Sequence, residues 1–139
     1  MKKILLWMVW LLACAACSGG ADDPAKLTPC GAWEMPWAGR LVAFYAAAPV
    51  LPESDMKALA LTEMQTLKAD WNEVIIYINF DKKLAKELGS PKTLEKISKT
   101  GLGPSDLEIW SGKVMGGARL SWTRKDGNEE WKFQPPPPR

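Results

Sequence analysis

The chain has 139 residues, 18 basic and 16 acidic side chains, a formal net charge of +2 and no histidine. The lack of histidine excludes Ser-His-Asp and Cys-His catalytic groups, histidine metal ligands and the usual side-chain pH switch near neutrality. The remaining composition, with 3 cysteines and 8 tryptophans, is compatible with one small globular domain.

The first 16 residues have the layout of an export signal. Lys2 and Lys3 form a cationic start, and an uncharged apolar run covers residues 4–13. That run is shorter than the roughly 20 apolar residues that span a bilayer, so a cleaved signal is predicted. Removal of Lys2 and Lys3 leaves 16 basic and 16 acidic side chains. The mature chain is therefore neutral, and its charge does not indicate nucleic acid as a partner.

The stretch "LLACAACSGG", residues 11–20, resembles a bacterial lipoprotein signal. In that class a small residue precedes a cysteine that is acylated, typically with palmitate, and becomes the mature N-terminus. Cys17, after two alanines and before Ser18, is favoured as the acylated residue. Cys14, after residues 11–13, is the alternative. Neither is followed by Asp, so the resemblance implies sorting to the outer membrane, with the domain facing the periplasm.

The third cysteine, Cys30, bears on that choice. Acylation of Cys14 would leave Cys17 and Cys30 able to pair in an oxidising envelope, whereas acylation of Cys17 leaves Cys30 as a single thiol. A redox or haem role for the Cys14–Cys17 pair is disfavoured because the pair trails a signal and Ser18, not histidine, follows it.

The composition divides the rest of the chain into three parts. Residues 17–29 are small, polar and Pro-containing and predict a tether, residues 30–134 predict a single α+β domain, and residues 135–139 form a Pro-rich tail. Within the domain, residues 30–39 predict an edge strand interrupted at Pro36. Residues 40–46 are apolar at nearly every position and predict a strand buried on both faces.

An amphipathic helix and a second strand follow. Apolar residues recur at helical spacing from an N-cap at Ser54 to about Asp70, and residues 73–80 predict a strand. Strand, helix and strand over this length predict a parallel βαβ unit. Asp81 then predicts the cap of a short helix, and a further helix opens at Pro91 and closes at Gly101.

The C-terminal part predicts a β-hairpin with a two-residue turn at Asp126-Gly127. That turn sets the cross-strand pairs Trp122 with Trp131, Leu120 with Phe133, and Arg124 with Glu129. Residues 107–110 predict one more short strand. The whole is a three- to five-stranded mixed sheet with helices on one face.

Tryptophans are the first candidates for a binding role. The mature chain has six, Trp33, Trp37, Trp71, Trp110, Trp122 and Trp131. Most are expected to pack in the core or on the sheet, and Trp122 with Trp131 is expected to be structural. Trp33 and Trp37 are the better candidates for an exposed site because they flank Pro36 in an irregular segment.

Lysines are the second candidates. Lys82, Lys83 and Lys86, followed by Lys92, Lys96 and Lys99, give residues 81–100 a net positive charge. A lipid-tethered domain could lay such a face on an anionic membrane surface. The commoner interpretation of a charged helix exterior is solubility alone, and it is favoured at this point.

These features favour a non-enzymatic, lipid-anchored envelope protein that binds another envelope protein or the cell wall. No catalytic residue, metal ligand or cofactor is assigned. An envelope hydrolase using carboxylates is an alternative, with Glu53 and Asp55 or Asp106 and Glu108 as pairs that nothing in the spacing supports. A surface-exclusion or phage-defence lipoprotein of a mobile element is a third possibility.

Overall fold

A computed structural model describes residues 25–100 and 116–136, which form five strands and three helices. The strands are β1 Thr28–Met35, β2 Arg40–Ala46, β3 Glu73–Asn79, β4 Gly117–Thr123 and β5 Glu129–Gln134. The helices are α1 Glu53–Leu67, α2 Lys82–Leu88 and α3 Pro91–Thr100, and a 3-10 turn covers Pro36–Ala38. The predicted signal, Cys14, Cys17, the carboxylates Asp106 and Glu108, Trp110 and the predicted strand 107–110 lie outside the described residues.

The strands form one mixed sheet in the order β1-β2-β3-β4-β5. The central pair, β2 and β3, is parallel, and the other neighbours are antiparallel. The parallel pair is joined by α1, so the predicted βαβ unit is confirmed. The predicted class, a small α+β domain with a mixed sheet, is confirmed as well. Among the described residues, no helix is long and apolar enough to cross a membrane.

The larger core lies between the sheet and α1. Met56, Ala60 and Met64 recur every four residues and are fully buried, because this spacing places them on one face of the helix. They pack on alternate residues of three strands, Leu41, Ala43 and Tyr45 of β2, Val74, Ile76 and Ile78 of β3, and Ala118, Leu120 and Trp122 of β4.

A smaller core lies on the opposite face of the sheet. Val42, Phe44 and Tyr77 point to this face with Trp33 of β1, and Leu88, Leu94 and Ile97 of α2 and α3 pack against them. The prediction that the helices share one face is therefore wrong in this detail. The cause was present in the sequence, since a β2 that is apolar on both faces requires an apolar cover on each side.

The predicted ends of the helices and strands are confirmed at some positions and wrong at others. Asp81 caps α2 as predicted, with its carboxylate accepting from the backbone N–H of Lys83 at 3.0 Å and of Leu84 at 3.3 Å. The predicted cap of α1 is wrong, because that helix begins at Glu53 after Pro52 and Ser54 lies inside its first turn. Strand β1 begins at Thr28, inside the predicted tether, and ends at Met35 directly before Pro36, as the predicted interruption requires.

The predicted register of the β4–β5 hairpin is wrong by two residues. Leu120 lies opposite Trp131, and Trp122, the last residue of β4 that pairs with β5, lies opposite Glu129. Residues 124–128 form a loop longer than the predicted two-residue turn, and the N–H of Gly127 donates to the carbonyl of Thr123 at the end of β4 at 2.8 Å. A shift by an even number preserves the face of every side chain, so the same apolar residues reach the core in either register.

Candidate functional site

The two ends of the sheet differ in what they expose. The chain enters β1 at the end where Thr28 pairs with Ala46, and it turns back at the other end, where Met35 pairs with Arg40. An open depression of about 540 Å³ lies at this second end, lined by Ala38, Asn72, Glu73, Thr123, Arg124, Lys125 and Asp126. We call this region, with the turn Pro36–Ala38, the Trp37 end.

Trp37 is the prominent exposed residue of that end, at 74 % relative exposure. It occupies the middle of the 3-10 turn, which begins at Pro36 and closes when the N–H of Gly39 donates to the Pro36 carbonyl at 3.2 Å. Gly39 has φ +62°, a conformation that glycine adopts without strain. Its carbonyl accepts from the N–H groups of Asn72 at 2.8 Å and Glu73 at 3.1 Å. The turn is therefore fastened to the start of β3, and Trp37 is presented on a fixed backbone.

The structure corrects the prediction for Trp33, which is only 6 % exposed. Its ring centroid lies 4.7 Å from that of Phe44, and its indole N–H donates to the Leu88 carbonyl at 2.7 Å. Trp33 pairs with Val42 in the sheet, so the two-residue alternation of the strand directs its side chain to the smaller core. Trp33 therefore joins β1 to the end of α2 and is not available to a partner.

Arg124 is a residue of the Trp37 end that the sequence did not single out. Its guanidinium donates to the Asn72 side-chain oxygen at 3.2 Å and to the backbone carbonyls of Lys68 at 3.2 Å and Trp71 at 2.9 Å. It also lies 5.6 Å from the centre of the Trp122 ring. These contacts hold the β4–β5 loop against the end of α1. They also replace the predicted pairing of Arg124 with Glu129, which instead lies 3.7 Å from Lys68.

An ion pair completes the polar part of the Trp37 end. The Arg40 guanidinium donates to the Glu73 carboxylate at 2.6 Å, with side chains 44 % and 28 % exposed. An exposed pair of this kind contributes little to stability, about 0–1 kcal/mol. Arg40 and Glu73 can therefore turn from each other to a partner at little cost to the stability of the fold.

The other predicted site residues lie elsewhere. Lys83 and Lys86 are exposed on α2, and Lys82 at its start is half-buried. The α2 lysines belong to a helix that packs on the smaller core, not to the Trp37 end. Glu53 and Asp55 are exposed in the first turn of α1, where Glu53 accepts from the Trp131 indole N–H at 3.0 Å. Across residues 25–100 and 116–136, no group of three Cys, Asp or Glu side chains is placed to hold a metal ion.

Tyr45 is a group whose pKa is clearly altered by the fold. It is 7 % exposed, and its hydroxyl donates to the Glu63 carboxylate at 3.3 Å. Burial is the main cause that raises the pKa of this phenol, with the negative charge of Glu63 and the hydrogen bond to it as smaller causes. The phenol is thus neutral at ordinary pH and packs in the larger core.

We expect this tyrosine to make the fold sensitive to alkali. A phenol whose pKa is higher in the folded than in the unfolded chain contributes stability that is complete below the unfolded value of about 10 and is lost as the pH rises above it. Denaturant unfolding at about pH 9 and about pH 11 should show a fall in the unfolding free energy that is smaller in Tyr45→Phe. An identical fall in both proteins would contradict this assignment.

The Trp37 end therefore combines an exposed indole on a fixed turn, an exposed ion pair and a depression too open to enclose a small molecule. Such a surface suits contact with a large partner better than catalysis on a sequestered substrate. Comparisons of the chain with protein-family models, with curated proteins and with solved structures found no match.

Proposed function

We propose that this chain is a lipid-anchored protein of the bacterial envelope and that its domain binds another envelope protein through the Trp37 end. The observation that carries the proposal is the exposure of Trp37 at 74 % on a turn fixed by backbone hydrogen bonds. Tryptophan is enriched among the residues that anchor protein interfaces, and a backbone that is already fixed loses less conformational freedom on binding.

The position of Trp37 fits a tethered protein. Strand β1 has 8 residues and runs from the chain entry to the Trp37 turn. At about 3.3 Å per residue, the strand separates the two by about 26 Å. A partner can therefore reach Trp37 without competing with the lipid anchor for space.

The rest of the surface around Trp37 also suits a protein partner. Arg124 lines the depression and Arg40 pairs with Glu73 of its lining, and arginine and tryptophan are enriched in interface hot spots. Displacing water from an indole in a packed interface accounts for about 2 kcal/mol or more of binding, which is more than ten-fold in affinity.

The anchor rests on the resemblance of residues 11–20 to a lipoprotein signal. We propose Cys17, or alternatively Cys14, as the acylated residue, with the protein on the periplasmic side of the outer membrane. Several acyl chains give stable anchoring where one chain would be marginal. Intact-mass analysis of the mature chain tests this directly, because the two cysteines predict different N-termini. A mature chain that begins at Ala15 or later and carries no acyl mass would refute the anchor.

Substitution of the exposed indole tests the binding surface. We expect Trp37→Ala to leave the unfolding free energy within about 0.5 kcal/mol of the wild type, because the side chain has few contacts to lose. The same variant should recover at least about ten-fold less cross-linked partner from native envelopes.

Val50→Ala is the matched control, since Val50 is 77 % exposed and lies beyond the opposite end of β2. It should recover the partner as the wild type does. Equal recovery by Trp37→Ala and wild type would refute the surface. If the wild type binds purified cell wall and Trp37→Ala does not, the partner of this surface is the cell wall and not a protein.

A further inference from the structure

The two helical layers of the domain carry opposite charge. Helix α1 has three acidic side chains, Glu53, Asp55 and Glu63, against Lys57, a net charge of −2. Helices α2 and α3 with the residues between them have six lysines against Glu87 and Glu95, a net charge of +4. Because the layers cover opposite faces of the sheet, the neutral mature chain has its charges separated across the sheet.

Five of the six lysines of α2 and α3 are exposed to solvent. Both helices use their apolar side chains, among them Leu88, Leu94 and Ile97, to pack on the smaller core. Five exposed lysines then form the outer surface, Lys83, Lys86, Lys92, Lys96 and Lys99, which we call the lysine face. Its ion pair within α3, Lys99 with Glu95 at 2.8 Å, joins side chains that are 73 % and 65 % exposed and so neutralises little of the field.

The chain enters the domain beside this surface. Lys26, the second described residue, and Lys82, the first residue of α2, line the same depression of about 240 Å³. Residues 18–24 separate Cys17 from the first described residue, and a chain of that length spans at most about 28 Å. An acyl anchor at Cys17 would therefore keep the lysine face close to the lipid surface, and Cys14 would add only about 10 Å.

We infer that the lysine face lies on an anionic lipid surface and orients the tethered domain with α1 outward. The inference rests on the proposed lipid anchor. Each lysine within a Debye length of an anionic surface, about 8 Å at physiological salt, strengthens the attraction about five-fold. The acidic α1 is repelled by the same field, so both layers favour one orientation over its reverse.

The test uses the full acylated chain in vesicles of phosphatidylcholine, with and without phosphatidylglycerol. Amine labelling followed by mass spectrometry reports the accessibility of each lysine. We expect lysine-face labelling to be at least about three-fold slower in the anionic vesicles, and the difference to disappear at high salt. Lys57 on α1 and Lys125 at the Trp37 end should label equally in both vesicle types.

Two triple variants with the same change in charge separate this surface from a general effect of charge. In Lys83→Glu/Lys86→Glu/Lys96→Glu, the remaining Lys92 and Lys99 should lose their protection. In Lys57→Glu/Lys125→Glu/Lys132→Glu, they should keep it.

The outcomes distinguish the inference from the anchor. Vesicles that do not retain the chain, together with a mature chain free of acyl mass, would refute the proposed function. A chain that floats with both vesicle types but shows equal labelling of the lysine face would overturn the inference alone. Protection that appears only after envelope proteins are added would assign the lysine face to an acidic protein.

Discussion

Phe44→Ala should lower the unfolding free energy by about 3–5 kcal/mol, the largest effect of a single truncation that we expect in the smaller core. Phe44 is fully buried in β2, and its ring centroid lies 4.7 Å from that of Trp33 and 5.6 Å from that of Tyr77. Its removal leaves a cavity between the sheet and α2. Rigid aromatic neighbours on two sides cannot collapse into that space without losing their own contacts.

Denaturant unfolding followed by circular dichroism measures this cost. Phe44→Leu is the matched control, because it keeps most of the volume and should cost about 1–2 kcal/mol. Loss of Phe44 should also loosen α2, since Trp33 holds that helix through the Leu88 carbonyl. A cost below about 1 kcal/mol for Phe44→Ala would show that the smaller core contributes little to the fold.

Gly31→Ala should destabilise the domain by about 3 kcal/mol or more, because two independent costs meet at this position. Gly31 follows the irregularity in the pairing of β1 with β2 and has φ +145°, where side chains other than hydrogen are rarely found. A Cβ built there would lie 2.5 Å from the Gly89 carbonyl oxygen and 2.9 Å from its carbon. Both contacts involve backbone, which cannot rotate away as a side chain can.

Gly127→Ala is the control for a positive φ without a close contact. Gly127 has φ +73°, and a Cβ there would meet no atom within 4 Å. We expect it to cost about 1 kcal/mol, and the excess cost of Gly31→Ala comes from the Gly31–Gly89 contact together with the more restricted φ of Gly31. Equal costs would show that α2 can move away from β1 and that the close contact of the two glycines is dispensable.

Residue patterns within single helices and strands were enough to predict much of the secondary structure. The four-residue spacing of Met56, Ala60 and Met64 is a property of the chain itself, as is the apolar run of β2, and both produced the predicted elements. Asp81 caps α2 through atoms at most three residues away, so its role could also be inferred. Local periodicity indicates which elements form, and a short-range hydrogen bond such as that of Asp81 can also indicate where one begins, but the starts of α1 and β1 differ from their predicted positions.

The sequence did not determine which face of the sheet each helix covers. Helix α3 is amphipathic, but periodicity alone indicates only that Leu94 and Ile97 pack on an apolar surface and not which one. The sheet offers two such surfaces, and α1 already occupies the one with alternate residues of β2, β3 and β4. The position of α2 and α3 on the other face, and with it the lysine face, is a consequence of tertiary packing.

Tertiary contacts also decided the position of the β4–β5 loop and the different exposure of Trp33 and Trp37. The β4–β5 loop is held by Arg124, and the acceptors of its side chain lie more than 50 residues away in the chain, so no local pattern indicates these contacts. Trp33 and Trp37 flank the same proline, but pairing with β2 continues through Met35 and stops before Pro36. Strand pairing buries the first indole and leaves the second in solvent, because only a residue inside the strand is directed onto the core.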